Sequence, residues 1–450
     1  MAMEKNQTVT LTIDDIGKDG QGIGKYDDMA VFVMGALPGE TVAAQIIKVK
    51  KSYAVGRLET IETASPHRVK PPCGVYKACG GCTLQHLAYA AQLTVKQRMV
   101  QSCMTRIGKL SVPVLFPLPS AHEYRYRNKA AFPVQTRDGV AHIGLYGARS
   151  HDIVDVDDCR LQQRDTATVL SQIRVWLVKY GISVYDEQRQ EGLLRHIVLR
   201  TAKSGEIMLV FVINGEELPH LKELQALLRF VLPQVKHIIL NHNTENTNVI
   251  MGGRNTVILG RGYFLEPICG LEFKVGPGSF LQVNARQMEA LYQNLLHRLE
   301  IKPSDIVLDL FCGAGTISLC AAQQAKKVYG IEVSEEAVQN ARFNARLNGM
   351  DNAAFFSGDA GRLMPQILET AGFADVVIVD PPRKGLSEPL IDTIIAAAPS
   401  RVGYVSCDPA TLARDLARFA EGGYAAGEIQ PVDMFPQTTH VECVTVLERR

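Results

Sequence analysis

The stretch 306-IVLDLFCGAGTIS-318 joins a short apolar run to a glycine-rich loop and the start of a helical pattern. Gly313 and Gly315 allow the backbone to approach a ligand closely before the helix begins. A dinucleotide-binding loop usually reads G-x-G-x-x-G/A, but here the last position is Ser318, and no G-K-[ST] follows as in a phosphate-binding loop. The form D-x-F-x-G-x-G instead suits a nucleoside without phosphates, such as S-adenosylmethionine.

The sequence after this loop repeats the pattern of a short apolar run followed by a helical stretch. Four further runs are apolar, end in or near glycine or an acid, and alternate with helical stretches: "KKVYGIEV", "AAFFSGD", "ADVVIVDPP" and "RVGYVSCDP". This βαβ rhythm predicts a doubly wound parallel sheet, which binds ligands at the carboxyl ends of its strands. Glu332 ends the second run about twenty residues after the loop, where an acid can accept both ribose hydroxyls. Asp359 ends the third run and could reach an adenine amine.

The last two runs end in residues that indicate the chemistry. Methyltransferases acting on exocyclic amines place an aromatic residue after Asp-Pro-Pro, but "DPPRKG" has Arg383 there, so an amine is not the expected target. A ring carbon such as uracil C5 is a poor nucleophile until a thiolate adds at C6. That scheme needs a cysteine, an acid–base group and a methyl-donor site close together.

Cys407 is the predicted nucleophile. It follows the apolar run 402–405, at the sheet edge where a substrate should lie, and Asp408 and Pro409 would end the strand and fix the turn. The alternative for a single cysteine is a small buried hydrophobic residue. The position of Cys407, one strand beyond "DPPR", favours the catalytic interpretation.

Glu442 is the predicted proton acceptor. "HVECVTVLER" is typical of a strand, in which Glu442 lies between Val441 and Cys443. Burial among apolar neighbours raises a carboxyl pKa, which suits a base. The alternative is an edge-strand glutamate that faces water, and the residues alone favour neither interpretation.

Residues 7–62 predict a small β-barrel, because short alternating runs are separated by glycine- and proline-containing turns. Four basic residues lie around its later strands: Lys48, Lys50, Lys51 and Arg57. They form either a solvated strand face or a phosphate-contacting edge. Further on, "HEYRYRNKAAFPV" predicts a strand with three basic residues on one face: Arg125, Arg127 and Lys129. That face suits either nucleic acid or simple half-exposure to water.

Changes in composition divide the chain of 450 residues into three parts. Residues 1–63 form the oligonucleotide-binding-type barrel. Residues 64–270 form a central α+β domain that starts with a cysteine-rich loop. Residues 271–450 form a Rossmann-like domain, which opens with a helix capped by Asn284. The predicted fold class is therefore a multidomain α/β protein.

Four cysteines form a candidate metal site. The loop "PPCGVYKACGGCTL" has the spacing C-x5-C-x2-C, and acids and a turn surround the natural fourth ligand in "DVDDCRL". The predicted ligands are Cys73, Cys79, Cys82 and Cys159. Disulfides are rare in the cytosol, so three close thiols there indicate a metal. The pattern does not decide between zinc and an iron–sulfur cluster.

Composition excludes several classes of protein. Hydrophobic residues make up 46% of the chain and charged residues 21%, as in ordinary globular proteins. The net charge of +1 argues against a uniformly basic nucleic-acid-binding coat but not against local basic patches. No apolar run reaches the length of a membrane span, and "MAMEKNQTVT" has no apolar secretory segment. We therefore expect a cytoplasmic protein without a membrane partner.

Together these motifs resemble the RNA (uracil-5-)-methyltransferase family, most closely the branch that acts on 23S ribosomal RNA. The amino-terminal barrel is similar to that family's TRAM domain, and "CGVYKACGGC" with Cys159 resembles its [4Fe–4S] ligand set. Five further stretches resemble its methyltransferase motifs and occur in the family's order: "FLQVN", "DLFCGAG", "DPPRKG", "SCDP" and "FPQTTHVE". The resemblance covers nearly the whole chain.

The resemblance implies roles for the motif residues. Cys407 would be the nucleophile and Glu442 the general base, and the metal group would be a [4Fe–4S] cluster. S-adenosylmethionine would contact four residues beside Gly313 and Asp359: Gln282, Phe311, Glu332 and Asp380.

The implied activity is methylation of C5 of a specific uridine in 23S ribosomal RNA through a cysteine–C6 adduct. The bacterial tRNA branch lacks the barrel and the cysteines, but other tRNA enzymes of the family carry a cluster, so tRNA is the second substrate. A non-catalytic RNA-binding protein with this fold is the alternative from another class, and Arg383 disfavours an N-methyltransferase. The expected partner is RNA rather than DNA, and the expected state is a monomer.

Overall fold

The computed structural model describes residues 3–137, 139–148 and 150–450. The first strands form a closed barrel in the order β1-β2-β3-β5-β4. They are β1 (Thr8–Ile16), β2 (Gln21–Tyr26), β3 (Met29–Met34), β4 (Thr41–Val49) and β5 (Tyr53–Thr63). Alternate residues of β1, such as Val9 and Leu11, are buried in the barrel core, as a period of two requires. The predicted barrel is confirmed.

Helix α1 (Tyr89–Arg106) follows the barrel and packs on the helix Pro409–Glu421, far along the chain. Val100 and Met104 of α1 are completely buried and share one apolar core with Phe419. A helix from the predicted central domain therefore contributes to the core of the carboxy-terminal region.

A mixed sheet with the order β12-β11-β10-β9-β6-β7-β8 forms the middle of the molecule. Its strands are β6 (Lys129–Arg137), β7 (Val140–Tyr146), β8 (Ile153–Asp155), β9 (Leu194–Thr201), β10 (Ile207–Ile213), β11 (Val235–His242) and β12 (Arg254–Leu259). Leu209 and Phe211 of β10 join the core formed with helices α2 (Asp165–Tyr180) and α3 (Leu221–Val231). The alternate residue Val210 joins the core of the carboxy-terminal region. Apolar cores on both sides explain why the run in β10 does not alternate.

Arg125 does not lie on the predicted strand face. β6 begins only at Lys129, and Arg125 has a φ of 59°, which is outside the extended region. Its two terminal nitrogens each lie 2.6 Å from a carboxylate oxygen of Asp158. This bidentate ion pair holds a bend where the alternation of basic and aromatic residues predicts a strand. The prediction is therefore wrong for Arg125 and also for Arg127, which precedes β6 and forms only an isolated bridge to Gln162.

The carboxy-terminal region begins with an antiparallel hairpin, β13 (Phe264–Ile268) and β14 (Leu271–Val275), and continues into helix α4 (Ala285–Leu299). The Asn284 side chain accepts a hydrogen bond from the backbone N–H of Gln287 at 3.4 Å. The predicted cap and helix are therefore confirmed. The segment 276–284, which includes "FLQVN", lies between this hairpin and α4.

The last sheet has the order β17-β16-β15-β18-β19-β22-β20, with β21 paired to β22. Its strands are β15 (Ile306–Asp309), β16 (Lys327–Glu332), β17 (Ala353–Ser357), β18 (Val376–Val379), β19 (Arg401–Ser406), β20 (Tyr424–Ala426), β21 (Gln430–Val432) and β22 (Glu442–Arg449). Its helices are α5 (Thr316–Ala322), α6 (Glu335–Leu347), α7 (Ala360–Ala371), α8 (Glu388–Ala397) and α9 (Pro409–Glu421). Strands β15 to β19 are parallel, so the predicted doubly wound sheet is confirmed.

The strand order reverses at β15. The chain continues from β15 to β16 and β17 on one side, then returns to place β18 and β19 on the other. A crevice opens at the carboxyl ends of the strands at such a switch point. Among the described residues, no helix combines the length and the apolar character that crossing a bilayer requires.

Candidate active site

A cavity of about 860 Å³ opens at this switch point. Its walls come from the segment before α4, the ends of strands β15 to β19, and the start of β22. The cavity brings together the eight residues predicted as nucleophile, base and nucleoside contacts: Gln282, Phe311, Gly313, Glu332, Asp359, Asp380, Cys407 and Glu442. Their separate roles remain predictions at this point.

The glycine loop turns sharply between β15 and α5. Gly315 has a φ of 81°, in the left-handed region that favours glycine. A side chain at Gly315 would bring its Cβ within 3.0 Å of the Phe355 ring and 3.1 Å of Ala341. The loop therefore requires glycine at this position for both its conformation and its packing.

Glu332 is held at the end of β16, as predicted. Its two carboxylate oxygens accept hydrogen bonds from the backbone N–H of Gly313 at 3.3 Å and of Ser334 at 2.9 Å. Ser334 in turn caps α6 through the N–H of Ala337 at 3.3 Å. These bonds place the carboxylate beside the glycine loop, where it faces the cavity.

Asp359 begins helix α7, two residues after β17 ends. Its side chain is exposed and accepts a hydrogen bond from the backbone N–H of Arg362 at 3.1 Å. The carboxylate therefore both caps α7 and lines the cavity.

Two acids, buried Asp309 and half-buried Asp380, lie at the base of the cavity. One oxygen of Asp309 accepts a hydrogen bond from the Ser318 hydroxyl at 2.6 Å, and the other has no partner among the described residues. Burial raises the pKa of Asp309 to about 6. Burial and the neighbouring Asp309 raise the pKa of Asp380 to about 7. Because both carboxyls bind a proton more tightly than usual, and Asp309 contributes to the shift at Asp380, a cationic ligand would be favoured here.

Strand pairing sets Cys407 beside Glu442. Antiparallel β19 and β22 pair Ser406 with Cys443, so one further step along both strands brings Cys407 opposite Glu442. Glu442 is only 2% exposed, and its Oε2 has no hydrogen-bond partner in the part of the chain that the structure describes. β22 is covered on both edges, which rules out the edge-strand glutamate facing water.

The electrostatics of the pair follow from this burial. Burial and the nearby Asp380 raise the pKa of Glu442 to about 8, while Arg383 opposes the shift. Burial, Glu442 and Asp380 raise the pKa of Cys407 to about 11, and Arg383 again opposes it. The thiol is therefore protonated at neutral pH, and its neighbour is a carboxyl poised to exchange a proton near pH 8.

The turn after Cys407 is fixed from both sides. Asp408 caps α9 by accepting the N–H of Ala410 at 3.0 Å, and Pro409 occupies the first helical turn, as predicted. Lys18, in the β1–β2 turn of the barrel, donates to the other Asp408 oxygen at 2.7 Å. The barrel thus contacts the turn that carries the candidate nucleophile.

Sequence reasoning missed several side chains that line the cavity. Phe280 is 76% exposed at the cavity wall, two residues before Gln282. Phe435 and His440 line the same cavity and lie with their rings at 72°. The exposure of Phe280 marks it as a candidate contact, but a phenylalanine in a sequence is normally expected in the core, so its sequence position gave no signal.

The four predicted metal ligands line a second cavity of about 310 Å³. They are Cys73, Cys79, Cys82 and Cys159. Among the described residues, no three His, Cys, Asp or Glu side chains are grouped closely enough to hold one metal ion. Burial raises the pKa of Cys82 to about 12, with a smaller contribution from the other three thiols. The fold therefore brings the four predicted thiols to one cavity, but it does not group them around a point where one metal ion could bind all of them.

The basic residues predicted on the barrel are exposed. Lys48, Lys50, Lys51 and Arg57 surround the β4–β5 hairpin. Tyr53, which is 37% exposed, stands beside Phe32 with ring centroids 5.5 Å apart. Exposed lysines beside aromatic rings favour a nucleic-acid surface over a merely solvated strand face.

The chain is similar to known proteins over nearly its whole length. Residues 257–450 match the family model for tRNA (uracil-5-)-methyltransferase, and residues 3–58 match the TRAM domain model. A Halalkalibacterium halodurans protein, named an uncharacterized RNA methyltransferase, is 47% identical over 99% of this chain and 98% of its own. A Listeria innocua protein with the same description is 45% identical over 99% of this chain and 98% of its own length.

A solved structure covers the same span. Pyrococcus abyssi tRNA (uracil-54, C5)-methyltransferase, in complex with S-adenosyl-L-homocysteine, superposes with a TM-score of 0.77 at 28% identity. The match covers 97% of this chain and 99% of that one. With relatives that match from end to end, the chain belongs to the S-adenosylmethionine-dependent RNA (uracil-5-)-methyltransferase family and carries an amino-terminal TRAM domain.

Proposed function

We propose that this enzyme methylates C5 of a specific uridine in 23S ribosomal RNA and that Cys407 is its covalent nucleophile. The observation that supports this most is the pairing of Cys407 with buried, partly unpartnered Glu442 in the cavity that also contains the predicted nucleoside contacts. A thiol and a carboxyl of raised pKa at one cleft are the two groups that this chemistry needs.

The reaction begins at the uracil ring. The Cys407 sulfur bonds to C6, its proton passes to the Asp380 carboxylate, and the ring electrons move to an enolate, which leaves Glu442 free to act as the later base. C5 then takes the methyl group that S-adenosylmethionine supplies. Glu442 removes the proton from C5, and the electrons of that bond re-form the C5–C6 double bond and expel the Cys407 thiolate. The methylated base then leaves, and Cys407 is free for another turnover.

The target base must leave its stack to reach Cys407, at a cost of a few kcal/mol. The exposed ring of Phe280 at the cavity wall offers a surface on which a flipped base could stack. The exposed lysines on the barrel supply phosphate contacts that offset part of the cost.

The methyl donor occupies the side of the cavity formed by the ends of β15 to β18 and the segment before α4. Glu332 accepts the ribose hydroxyls, Asp359 contacts the adenine amine, and Gln282, Phe311 and Asp380 complete the site beside Gly313. The acids Asp309 and Asp380, whose pKa values burial raises to about 6 and about 7, favour a ligand with net positive charge. The sulfonium donor carries such a charge, and the demethylated product does not.

The substrate is tested by mapping the product. Incubation with tritiated donor and either 23S ribosomal RNA or total tRNA transcripts should label the ribosomal RNA, and nuclease digestion should release 5-methyluridine. Labelled tRNA alone would instead support the second candidate, which the resemblance to the Pyrococcus abyssi tRNA enzyme favours. Methylated amines would contradict C5 chemistry, and RNA binding without any product would support a non-catalytic role.

The cysteine cavity fits a cluster better than a single ion. Around one zinc ion, thiolates at about 2.3 Å from the metal lie only about 3.8 Å apart. In a four-iron cluster each thiolate binds a different iron, and four thiols that line one cavity without meeting around a single point suit that arrangement. A [4Fe–4S] cluster held by Cys73, Cys79, Cys82 and Cys159 would tie the loop after the barrel to the turn at Cys159.

Anaerobically purified protein should therefore be brown and contain about four iron atoms per chain. Cys82→Ser should lose the colour and the iron, because a hydroxyl is a poor ligand for iron in a cluster. Cys103→Ser, in α1 and outside the cysteine cavity, is the matched control and should keep both. Colourless wild-type protein with one zinc per chain would contradict the cluster.

A further inference from the structure

The segment 433–441 joins β21 to β22 and leads directly to Glu442. Phe435 and His440 from this segment line the catalytic cavity. The segment therefore forms part of the cavity wall and leads into the strand that carries the predicted proton acceptor.

Lys96 of α1 holds the start of this segment. Its side chain and that of Asp433 are both completely buried and form an ion pair. The Lys96 ammonium also donates to the backbone carbonyl of Phe435 at 3.0 Å. The second Asp433 oxygen accepts from the Tyr89 hydroxyl at 2.7 Å. In the described chain, neither Lys96 nor Asp433 lines the catalytic cavity.

Gln92, one helical turn before Lys96, holds the middle of the segment. Its Oε1 accepts the backbone N–H of Gln437 at 3.0 Å, and its Nε2 donates to the Gln437 side-chain oxygen, also at 3.0 Å. Gln437 has a φ of 70°, an unusual conformation for a residue other than glycine. The carbonyl of Gln437 accepts the N–H groups of Thr83 and Leu84, each at 3.0 Å. One face of α1 thus fixes two separate points of the segment.

A buried ion pair is weak evidence for stability, because apolar residues of similar volume often stabilise a protein as well. The Lys96 contacts instead fix the position of the segment, because one ammonium binds both the Asp433 carboxylate and the backbone carbonyl of Phe435, two residues further on. We propose that Lys96 and Gln92 are positioning residues for methylation: together they set the path of segment 433–441, which leads into β22 and keeps Glu442 within reach of the base bound at Cys407. This role rests on the function proposed above.

The proposal concerns one step of the reaction. Glu442 can remove the C5 proton only from within hydrogen-bond reach, and a misplacement of about 1 Å can cost roughly 100-fold in rate. Five of the six predicted donor contacts, from Phe311 to Asp380, lie at the carboxyl ends of β15 to β18 and not on segment 433–441, so donor affinity should change little. Loss of the ion pair should therefore slow the release of the covalent RNA adduct more than its formation.

The test uses a double variant, Lys96→Met with Asp433→Asn, because the single change would leave a buried charge unpaired. We expect 5-methyluridine release to fall roughly 100-fold while donor affinity stays within about twofold. Denaturation-resistant RNA adduct should accumulate relative to product. Gln92→Leu, which keeps the ion pair, should shift the same ratio in the same direction.

The matched control is Arg401→Met with Asp305→Asn. This ion pair is also largely buried, with N–O distance 2.6 Å, but it lies at the amino end of β19, opposite the cavity. Its loss should lower the melting temperature without changing the ratio of adduct to product.

An unchanged ratio in the folded double variant would overturn the proposal, as would an unchanged ratio in Gln92→Leu if the double variant does not fold. A shift of equal size in the control would also overturn it, since the effect would then follow from destabilisation alone. Wild-type protein that forms no 5-methyluridine from any RNA would instead contradict the proposed function itself.

Discussion

Replacing Cys407 with alanine is expected to abolish uridine methylation, with a loss of at least about 10⁴-fold. Without the sulfur, C6 cannot be attacked, and uracil C5 stays too weakly nucleophilic to take the methyl group. Donor binding should be unchanged, because Cys407 is not one of the predicted nucleoside contacts, which lie before α4 and at the ends of β15 to β18. Transfer of tritiated methyl groups to RNA measures the first expectation, and calorimetric titration with the donor measures the second.

Cys103→Ala is the control for this experiment. Cys103 lies in α1 and lines a small cavity of about 90 Å³ that also touches Cys407, so it is a nearby, partly buried thiol without a predicted role in bond formation. This variant should methylate RNA at close to the wild-type rate. If Cys407→Ala kept near-normal turnover, the covalent scheme would be wrong.

The sequence predicted the positions that depend on local rules. Glu332 ends β16 because Ser334 caps the following helix, and both features are visible within a few residues. Parallel strands then bring their carboxyl ends to one edge, so Glu332, Asp380 and Cys407 meet without any knowledge of long-range contacts. The barrel follows equally from a period of two between glycine-rich turns.

The features that were missed depend on contacts between distant parts of the chain. Lys18 meets Asp408 across 390 positions, and Lys96 meets Asp433 across 337. Neither pair leaves a local pattern, since a lysine in a turn or a helix is normally exposed. Glu442 was ambiguous for the same reason: only the pairing of β22 between two neighbours decides that it is buried.

Replacing Glu442 with glutamine is expected to trap the covalent RNA adduct. Cys407 can still add to C6 and C5 can still take the methyl group, but the amide cannot remove the C5 proton, so the thiolate is not expelled. Product release should fall by about 10²- to 10⁴-fold. The adduct should appear as a methylated protein–RNA band that survives denaturing electrophoresis. Glu448→Gln, an exposed position on the same strand, should give no such band.

The raised pKa of Glu442 adds a dependence on pH. Burial and Asp380 raise this pKa from 4.5 to about 8, so the basic form becomes populated as pH rises toward 8, and wild-type product release should increase over that range. Folding shows the opposite trend. The protonated form is favoured only in the folded state, so the stability of wild type relative to Glu442→Gln should be greatest below pH 4.5 and be lost as pH rises through 8.

Urea unfolding of both proteins at pH 5.5 and 8.5 measures the stability trend, and single-turnover methylation over the same interval measures the rate. Wild type and Glu442→Gln with parallel pH profiles would show that another group removes the proton. The adduct decides between the remaining explanations, because a variant that loses activity without accumulating adduct has lost an earlier step. Only a slow last step, with the methyl group already on C5 and the sulfur still on C6, fits a base that acts after methyl transfer.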